Sequence, residues 1–345
     1  MQSLPLTIET QLTIASKEFL SSHPELHHYT TFAGLEGIVR SNTIWATHFS
    51  GLNDATEVIL FREPLVRALT ESFSEIIRRQ QNANAYVRQA IQVNGGIAEF
   101  AERVSKDFVE GLYKVTFDSN ASFSFAEPFI TSFCSHVADQ PYEKEQGLLS
   151  QWRGYGGDGG FCIVFDTVKL SELLAREFDS HYLLHLNISP VHYALGTASI
   201  KEMFPKVIDV CNYFIAGIFE GRASPPIDDG FAPFVAAATL FKHHAFSEER
   251  EVRIVAIPGS DEVQKKVQAE YPAEFKASPL KCIRERGSSS GKRRYIALFD
   301  TLDVRLPIKR VIVGPSRHQR ENYERVAALL NDSVSVAVSE TPFIG

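Results

Sequence analysis

The chain has 345 residues, of which 44% are hydrophobic and 22% are charged, so its composition excludes disordered and collagen-like proteins. Its 35 basic and 42 acidic residues give a formal net charge of −7, which excludes a basic footprint for nucleic acid over the whole surface but leaves room for a local patch. The longest apolar runs, 161–165 and 234–240, are far shorter than a membrane span of about 20 residues. Residues 1–10 carry no basic stretch ahead of an apolar run, so we expect no signal peptide and a cytoplasmic protein.

The four cysteines lie far apart in apolar surroundings, at positions 134, 162, 211 and 282. They form no C-x-x-C pair, whereas zinc sites and disulfide frameworks generally rely on closely spaced cysteines. The pattern therefore predicts reduced thiols and no metal site.

The first third of the chain predicts short elements followed by a helical block. In chain order we expect a helical lead-in over 1–26, a strand over 27–30, a helix over 34–40, a strand over 43–47 and helices over 57–116. Within 57–116, Asn94-Gly95-Gly96 separates two helices. The block 57–116 is therefore predicted to be a helical hairpin inserted into the fold.

The rest of the chain predicts short strands between helices. The expected strands cover 129–134, 161–165, 181–193, 251–257, 295–299, 311–313 and 334–338, and the expected helices cover 168–177, 200–220, 231–244 and 318–330. This irregular alternation favours an α+β fold with a mixed sheet over a doubly wound parallel sheet. Because the motifs described next interleave along the chain, we expect a single domain, 1–345.

A first candidate site lies on the strand at 27–30. Strand alternation places His28 and Thr30 on one face and Tyr29 on the other. Histidine beside threonine at a strand end can hold a sugar hydroxyl or a phosphate, although an ordinary core or surface histidine gives the same pattern.

A second candidate site is the glycine-rich segment 151–157, which crowds Trp152, Arg153 and Tyr155 among glycines. Glycine lets a backbone approach a ligand closely, the aromatic rings can stack on a flat ring, and the guanidinium suits a phosphate or carboxylate. The alternative is a tight turn with one buried tryptophan. The segment precedes a strand, so it is not a dinucleotide-binding G-x-G-x-x-G loop.

A third candidate site is the acidic start of the strand at 251–257. Glu249, Glu251 and Arg253 share one face of an extended chain. Carboxylates at the mouth of a buried strand can stabilise developing positive charge or accept a hydrogen bond from a hydroxyl. In the structural alternative, Arg253 simply pairs with Glu251.

Two further motifs have mainly structural interpretations. Asp54 and Glu57 fit a helix N-cap and its capping box. The basic hairpin 281–294 contains Lys281, Arg284, Arg286, Lys292, Arg293 and Arg294 around a Gly-Ser tip. Such a run could meet phosphate or RNA, but more often it is a solvated strand edge that discourages aggregation.

Taken in order, these motifs resemble a bacterial domain-of-unknown-function family, number twenty-nine seventy-one, over about residues 26–340. The residues that carry the resemblance are His28-Tyr29-Thr30, Ile44-Trp45-Ala46-Thr47, Leu52-Asn53-Asp54, Ser132-Phe133-Cys134, Leu149 to Gly156, Gly160-Phe161, Glu249-x-Glu251-x-Arg253 and Val313-Gly314-Pro315. That family name implies no activity.

A more distant resemblance is to the ADP-ribosyltransferase fold, which opens with His-x-Thr on a first strand, a Leu-x-x-Ile helix and a short strand. It implies a mostly antiparallel, short-stranded sheet and NAD as a substrate. It also implies that Glu251 or Glu249 stabilises an oxocarbenium-like ribose, as a glycosidase carboxylate does. His28, Tyr29 and Thr30 would lie at the ribose, Tyr155 or Trp152 would stack on nicotinamide, and Arg153 would reach the pyrophosphate.

The leading hypothesis is thus an ADP-ribosyltransferase-like enzyme, of the kind that acts as a toxin or an anti-phage effector, with a protein or nucleic-acid acceptor. The alternatives are a non-catalytic nucleotide- or nucleic-acid-binding module of the same fold and a helical interaction protein. The enzyme requires His28, Tyr155 or Trp152, and Glu251 to converge in one cleft. A homodimer through the apolar helices of 65–112 is a further expectation.

Overall fold

The computed structural model describes residues 14–52, 57–117, 127–136, 141–155, 159–194, 200–222, 228–270, 272, 277–288, 291–331 and 333–342. The strands in these ranges are β1 (Glu25–Thr30), β2 (Ile44–His48), β3 (Phe129–Cys134), β4 (Phe161–Asp166), β5 (Leu183–Pro190), β6 (His192–Ala194), β7 (Phe241–His243), β8 (Glu251–Pro258), β9 (Ile283–Ser288), β10 (Gly291–Leu298), β11 (Ile308–Val313) and β12 (Ser335–Val338).

The α-helices of the same ranges are α1 (Lys17–Ser22), α2 (Phe32–Ser41), α3 (Glu57–Leu60), α4 (Arg62–Gln80), α5 (Ala85–Asn94), α6 (Ile97–Phe117), α7 (Pro141–Gln146), α8 (Leu149–Tyr155), α9 (Thr167–Ser180), α10 (Ile200–Met203), α11 (Pro205–Glu220), α12 (Asp228–Thr239), α13 (Asp261–Glu270) and α14 (Gln319–Leu330). Short 3₁₀ segments cover Phe49–Gly51 and His244–Glu249.

The main sheet is open and mostly antiparallel. Its strands follow the order β12-β11-β4-β1-β3-β2-β10-β9, and β8 pairs with β3 and β5 beside this path. Parallel pairing occurs between β11 and β12 and, in a separate small sheet, between β6 and β7. The expected α+β class with a mixed, mostly antiparallel sheet is therefore confirmed.

The first hydrophobic core lies between the sheet and helices α2, α9 and α14. Phe133, Phe161 and Phe165 of β3 and β4 are buried in it, so the phenylalanines that flank the short motifs do fill the core. Strand β8 is buried on both faces, because alternate residues such as Val252 and Ile254 enter this core while Ile257 enters a second one.

The second core is helical. It joins α3, α4, α5 and α6 to α10, α11 and α12. Leu65, Leu69, Phe73 and Ile77 of α4 are fully buried in it. These residues pack within the chain, and the homodimer expected through the helices of 65–112 stays a prediction. The block at 57–117 is also more than a hairpin, since the ten-residue helix α5 lies between α4 and α6 and ends at Gly95 in a left-handed conformation.

Several predicted boundaries were wrong. Residues 1–13 of the expected lead-in helix lie outside the described residues, and within 14–26 the chain forms α1 and then enters β1 after Pro24. The single helix expected over 231–244 ends at Thr239, and Phe241–His243 pairs with β6 as a strand. The helix α13 was not predicted. The proposed cap at Asp54 and the glycines at 156–157 lie outside the described residues.

Candidate functional site

A cleft opens where the sheet divides at β1. This strand pairs with β4 along its whole length but with β3 only at His27–Cys134. Strand β3 continues instead in register with β8. The two strands therefore diverge, and a cleft of about 830 Å³ lies beside them, lined by β1, α2, β2, β3, β8 and the β9–β10 hairpin.

His28 bridges the diverging strands. Its Nδ1 lies 2.9 Å from the carbonyl oxygen of Ser132, and because a carbonyl only accepts, Nδ1 must donate. Burial lowers the pKa of His28, against the opposing effect of that hydrogen bond. The ring is therefore neutral at neutral pH, and Nε2 keeps a lone pair that accepts a hydrogen bond.

Thr30 lines the same cleft, and the space that its side chain occupies requires a glycine in α2. A Cβ placed on Gly34 would lie 2.0 Å from the Thr30 hydroxyl oxygen, so any side chain there would displace Thr30. The expected placement of His28 and Thr30 on one face, with Tyr29 on the other, agrees with their surroundings.

The carboxylate end of the cleft, formed by Lys242, Glu249, Glu251 and Arg253, is a connected ion-pair network. The Arg253 Nε and Nη2 atoms donate to the two oxygens of Glu251 at 2.7 and 3.0 Å, and Nη1 donates to the Thr239 carbonyl at 2.6 Å. The Lys242 ammonium donates to Glu251 at 2.9 Å and to Glu249 at 2.7 Å. The predicted pairing of Arg253 with Glu251 is present, and Lys242 ties Glu249 to it.

The two glutamates differ in access. The side chain of Glu251 is 6% exposed and that of Glu249 is 21% exposed, although both line the cleft. Burial alone would raise the pKa of Glu251, but the charges and hydrogen bonds of Arg253 and Lys242 outweigh it and hold that pKa at about 2. Glu251 is thus a fixed negative charge, whereas Glu249 has one surface open to a ligand.

Two aromatic rings border the carboxylate end. Tyr155 at the end of α8 and Phe246 in the 3₁₀ segment are 43% and 40% exposed. Both line the large cleft and an adjoining pocket of about 300 Å³. Burial of the hydroxyl and the nearby charges of Glu249 and Glu251 raise the pKa of Tyr155, so it stays protonated. Flat rings at this border can hold an aromatic ligand against the carboxylates.

The side chains of three predicted site residues, Trp152, Tyr29 and Arg153, do not border the carboxylate end. Trp152 is 4% exposed, donates its Nε1 hydrogen to the Gln146 carbonyl at 3.0 Å and packs edge-on against Tyr29. The Tyr29 hydroxyl bonds to His136 and accepts from the backbone N–H of Leu148. Arg153 is exposed on α8 and is not among the residues that line the cleft. Trp152 is a core residue because α8 turns its indole inward.

The opposite side of the cleft is a basic wall formed by Trp45, Arg286 and Arg293. Trp45 projects from β2 and stacks on Tyr295 with ring centres 4.3 Å apart. The Arg286 guanidinium carbon lies 5.2 Å from the centre of the Trp45 ring. The arginines stand directly opposite each other in the β9–β10 hairpin. The wall therefore combines an exposed flat ring with two positive charges.

The sequence did not single out Lys242, Phe246, Ser132 or Trp45 as site residues. Lys242 lies within the helix expected over 231–244, so the strand that turns Lys242 toward the glutamates could not be foreseen. The pattern of alternating residues in the basic hairpin could have separated Arg286 and Arg293 from Lys292 and Arg294, since alternate residues share a face.

One group of metal-ligand types occurs among the described residues, formed by Glu177, His181 and Asp300. The ammonium of Lys281 contacts both Glu177 and Asp300 there, so a lysine already supplies the positive charge. The helices that the structure describes include none that is both long enough and apolar enough to cross a membrane.

Comparison with known families found a match over part of the chain. Searches of curated proteins and of solved structures returned no match. The matched segment runs from α8 to β8, so it contains Tyr155, Glu249 and Glu251 but not the β1 residues of the cleft. Over residues 151–254, the chain is similar to the family described as "Protein of unknown function (DUF2971)".

Proposed function

We propose that the cleft binds NAD and that the chain is an ADP-ribosyltransferase-like enzyme. The observation that carries this proposal is convergence: His28, Thr30, Tyr155, Glu249 and Glu251 come from three separate stretches of sequence and line one cleft. In the reaction, the bond between the nicotinamide nitrogen and ribose C1′ breaks, and nicotinamide leaves with the electron pair. An acceptor oxygen or nitrogen then bonds to C1′ and loses a proton to water.

The carboxylate end supplies the electrostatic part of this mechanism. A ribose that loses nicotinamide gains oxocarbenium-like positive charge, which a fixed carboxylate stabilises. Glu249 is the carboxylate that a ribose hydroxyl reaches, because it is more exposed and Lys242 holds it at 2.7 Å from one side. Glu251 acts as a positioning residue that fixes Lys242 and Arg253 and adds negative potential.

The remaining cleft residues orient the dinucleotide. The neutral His28 ring offers Nε2 as an acceptor for a ribose hydroxyl, and Thr30 offers a hydroxyl on the same strand face. Nicotinamide lies between Tyr155 and Phe246, where stacking on exposed rings holds it next to the carboxylates. This arrangement gives Tyr155 the role that the resemblance left shared with Trp152.

A non-catalytic nucleotide-binding module of the same fold is the second candidate. It is favoured by the complete pairing of Glu251 with Arg253 and Lys242, which a purely structural carboxylate would also show. The two candidates differ in whether nicotinamide is released.

The test is incubation of the chain with NAD labelled in nicotinamide, alone and with protein or nucleic-acid acceptors. We expect the unchanged chain to release nicotinamide and Glu249→Gln to slow release by about a hundredfold, the usual cost of removing a group that stabilises transition-state charge. Glu262→Gln, at an exposed position in the first turn of α13, is the matched control and should not change the rate.

Binding of NAD without nicotinamide release in any mixture would favour the binding module. Equal release by the unchanged chain and Glu249→Gln would contradict the role of Glu249. If the chain is a toxin or an anti-phage effector, its expression in bacteria should slow growth, and Glu249→Gln should restore growth.

A further inference from the structure

The basic hairpin contains two arginines that have no ion-pair partner among the described residues. Arg284 pairs with Asp300 at 2.6 Å and Arg294 pairs with Glu127, while Lys292 pairs with Glu285 at 2.8 Å. By contrast, neither Arg286 nor Arg293 forms an ion pair with any residue that the structure describes. Arg284, Lys292 and Arg294 are thus each paired with an acid, whereas Arg286 and Arg293 are not paired with any described acid.

The two arginines also stand directly opposite each other across the antiparallel hairpin. Like charges in this position repel and destabilise the pair of strands. They share the sheet face that carries Tyr295, and both line the cleft. A pair of guanidinium groups that repel each other and face a cleft is suited to an anion that lies between them, because each fork can donate two hydrogen bonds to a phosphate.

Trp45 adds a flat apolar surface to this anion site. It is 41% exposed although tryptophan is mostly buried in folded proteins. One face is supported by Tyr295, which is itself buried, so the indole is held in place before any ligand arrives. An exposed and pre-oriented ring beside arginine is typical of surfaces on which nucleobases stack.

The position of Arg293 is fixed by its surroundings. A Cβ placed on Gly51 would lie 3.6 Å from the Arg293 Cγ and 3.7 Å from its Cδ, so the stem of the arginine packs over this glycine. Its side chain is half-buried, whereas that of Arg286 is exposed. One guanidinium is therefore held within the cleft and the other lies at its rim, stacked on Trp45.

We propose that Trp45, Arg286 and Arg293 form a subsite for a nucleoside phosphate. The exposed Arg286 side chain moves off the face of Trp45 that Tyr295 leaves open, a base stacks on that face, and the phosphate lies between the two arginines. This phosphate can belong to a dinucleotide or to a single-stranded polynucleotide. The dinucleotide source rests on the proposed function, whereas the polynucleotide source does not. The assignment replaces Arg153 as the expected phosphate ligand, because Arg153 does not line the cleft.

The fluorescence of Trp45 tests the proposal directly. The chain has two tryptophans, and Trp152 is buried behind Tyr29, so quenching by a stacked base reports mainly on Trp45. The probes are ADP-ribose, NAD and a short single-stranded oligothymidylate, with thymidine as the probe that lacks phosphate. We expect quenching by ADP-ribose and NAD, or by the oligonucleotide, and which of them quenches identifies the source.

Arg286→Gln and Arg293→Gln should each weaken binding of the quenching probe by about tenfold, the usual effect of losing a charge-assisted hydrogen bond. Lys292→Gln is the matched control, since Lys292 is adjacent to Arg293 but lies on the opposite face and pairs with Glu285. Its affinity should stay unchanged at physiological ionic strength.

The proposal is wrong if no phosphate-bearing probe quenches Trp45, or if Lys292→Gln weakens binding as much as Arg293→Gln. Quenching as strong with thymidine as with the phosphate-bearing probes would also overturn the phosphate site. None of these readings involves nicotinamide release, so the proposed function and this subsite can fail separately.

Discussion

The carboxylate end and the basic wall of the cleft hold their charges in opposite ways. At the carboxylate end, two glutamates face Lys242 and Arg253 in a buried network, so each charge is paired. At the basic wall, two arginines share one face of an exposed hairpin and pair with no described acid. Buried charges must be compensated within the protein, whereas exposed charges are solvated by water and can stay unpaired until a ligand binds. Substitutions of the buried charges Glu251 and Arg253 at the first end should therefore mainly affect stability, and substitutions at the second end should mainly affect binding.

The largest expected effect is that of Arg253→Met. It removes both hydrogen bonds to Glu251 and the one to the Thr239 carbonyl, so it leaves a buried carboxylate with Lys242 as its remaining cation. Breaking a buried ion pair from one side costs about 3–5 kcal/mol. Urea unfolding at neutral pH measures this loss. The same replacement at Arg286 should change the free energy of unfolding by less than about 0.5 kcal/mol, and similar costs at the two positions would refute the comparison.

The second effect is the pH dependence that Glu251 contributes. Its pKa is lowered from 4.5 to about 2 in the folded chain, so its stabilising contribution is complete above pH 4.5 and is lost as pH falls toward 2. At neutral pH this contribution is about 3 kcal/mol. Glu251→Gln should therefore be less stable than the unchanged chain at neutral pH, and the difference should narrow between pH 4.5 and pH 2.

Unfolding of both proteins measured at several pH values tests the direction of this pH dependence. Glu25 also has its pKa lowered to about 2, beside Arg310 and Lys309, but it is present in both proteins and its effect cancels in the difference. A difference that stays constant down to pH 2 would mean that Glu251 contributes no charge-dependent stability.

A smaller effect is expected at the rim between the two ends, where Thr30 lies against Gly34. Gly34→Ala forces the Thr30 hydroxyl to move, since its Cβ would lie 2.0 Å from that oxygen, and we expect a loss of about 1–3 kcal/mol. Gly37→Ala, one turn along α2, meets no atom within 4 Å and should stabilise the helix by about 0.5–1 kcal/mol. Thermal unfolding of both variants distinguishes crowding from helix propensity. If both substitutions change the free energy of unfolding in the same direction, Thr30 is not crowded by Gly34→Ala.

The sequence predicted the strands of the cleft better than its side chains. Alternation correctly placed His28 with Thr30 and Glu251 with Arg253, because both pairs lie on regular strands where period two holds. It failed at Lys242, which lies on a three-residue strand directly after a helix. The apolar run there fits helix and strand equally well, so the partner that holds Glu249 could be found only from the fold.

The sequence left Trp152 with two interpretations, a ring that stacks on a ligand or a buried tryptophan in a tight turn. The first part of the segment forms α8, and its inward face carries Trp152 into the core, in agreement with the buried alternative. Tyr155, three residues later, reaches the end of that helix and remains exposed. Distinguishing the two aromatics requires knowing where the helix ends, which the glycines at 156–157 mark only approximately.

The smallest effect separates stability from binding at one hairpin. Arg293→Glu places an acid opposite Arg286, so it replaces repulsion by attraction and should stabilise the hairpin by about 0.5 kcal/mol. Lys292→Glu, one residue away, breaks the pair with Glu285 and should lower stability instead. If the basic wall is an anion site, the more stable Arg293→Glu should lose the quenching of Trp45 while the less stable Lys292→Glu keeps it. Thermal unfolding and fluorescence titration of the same two samples measure both quantities. If the less stable Lys292→Glu loses the quenching and the more stable Arg293→Glu keeps it, Arg286 and Arg293 have only a structural role.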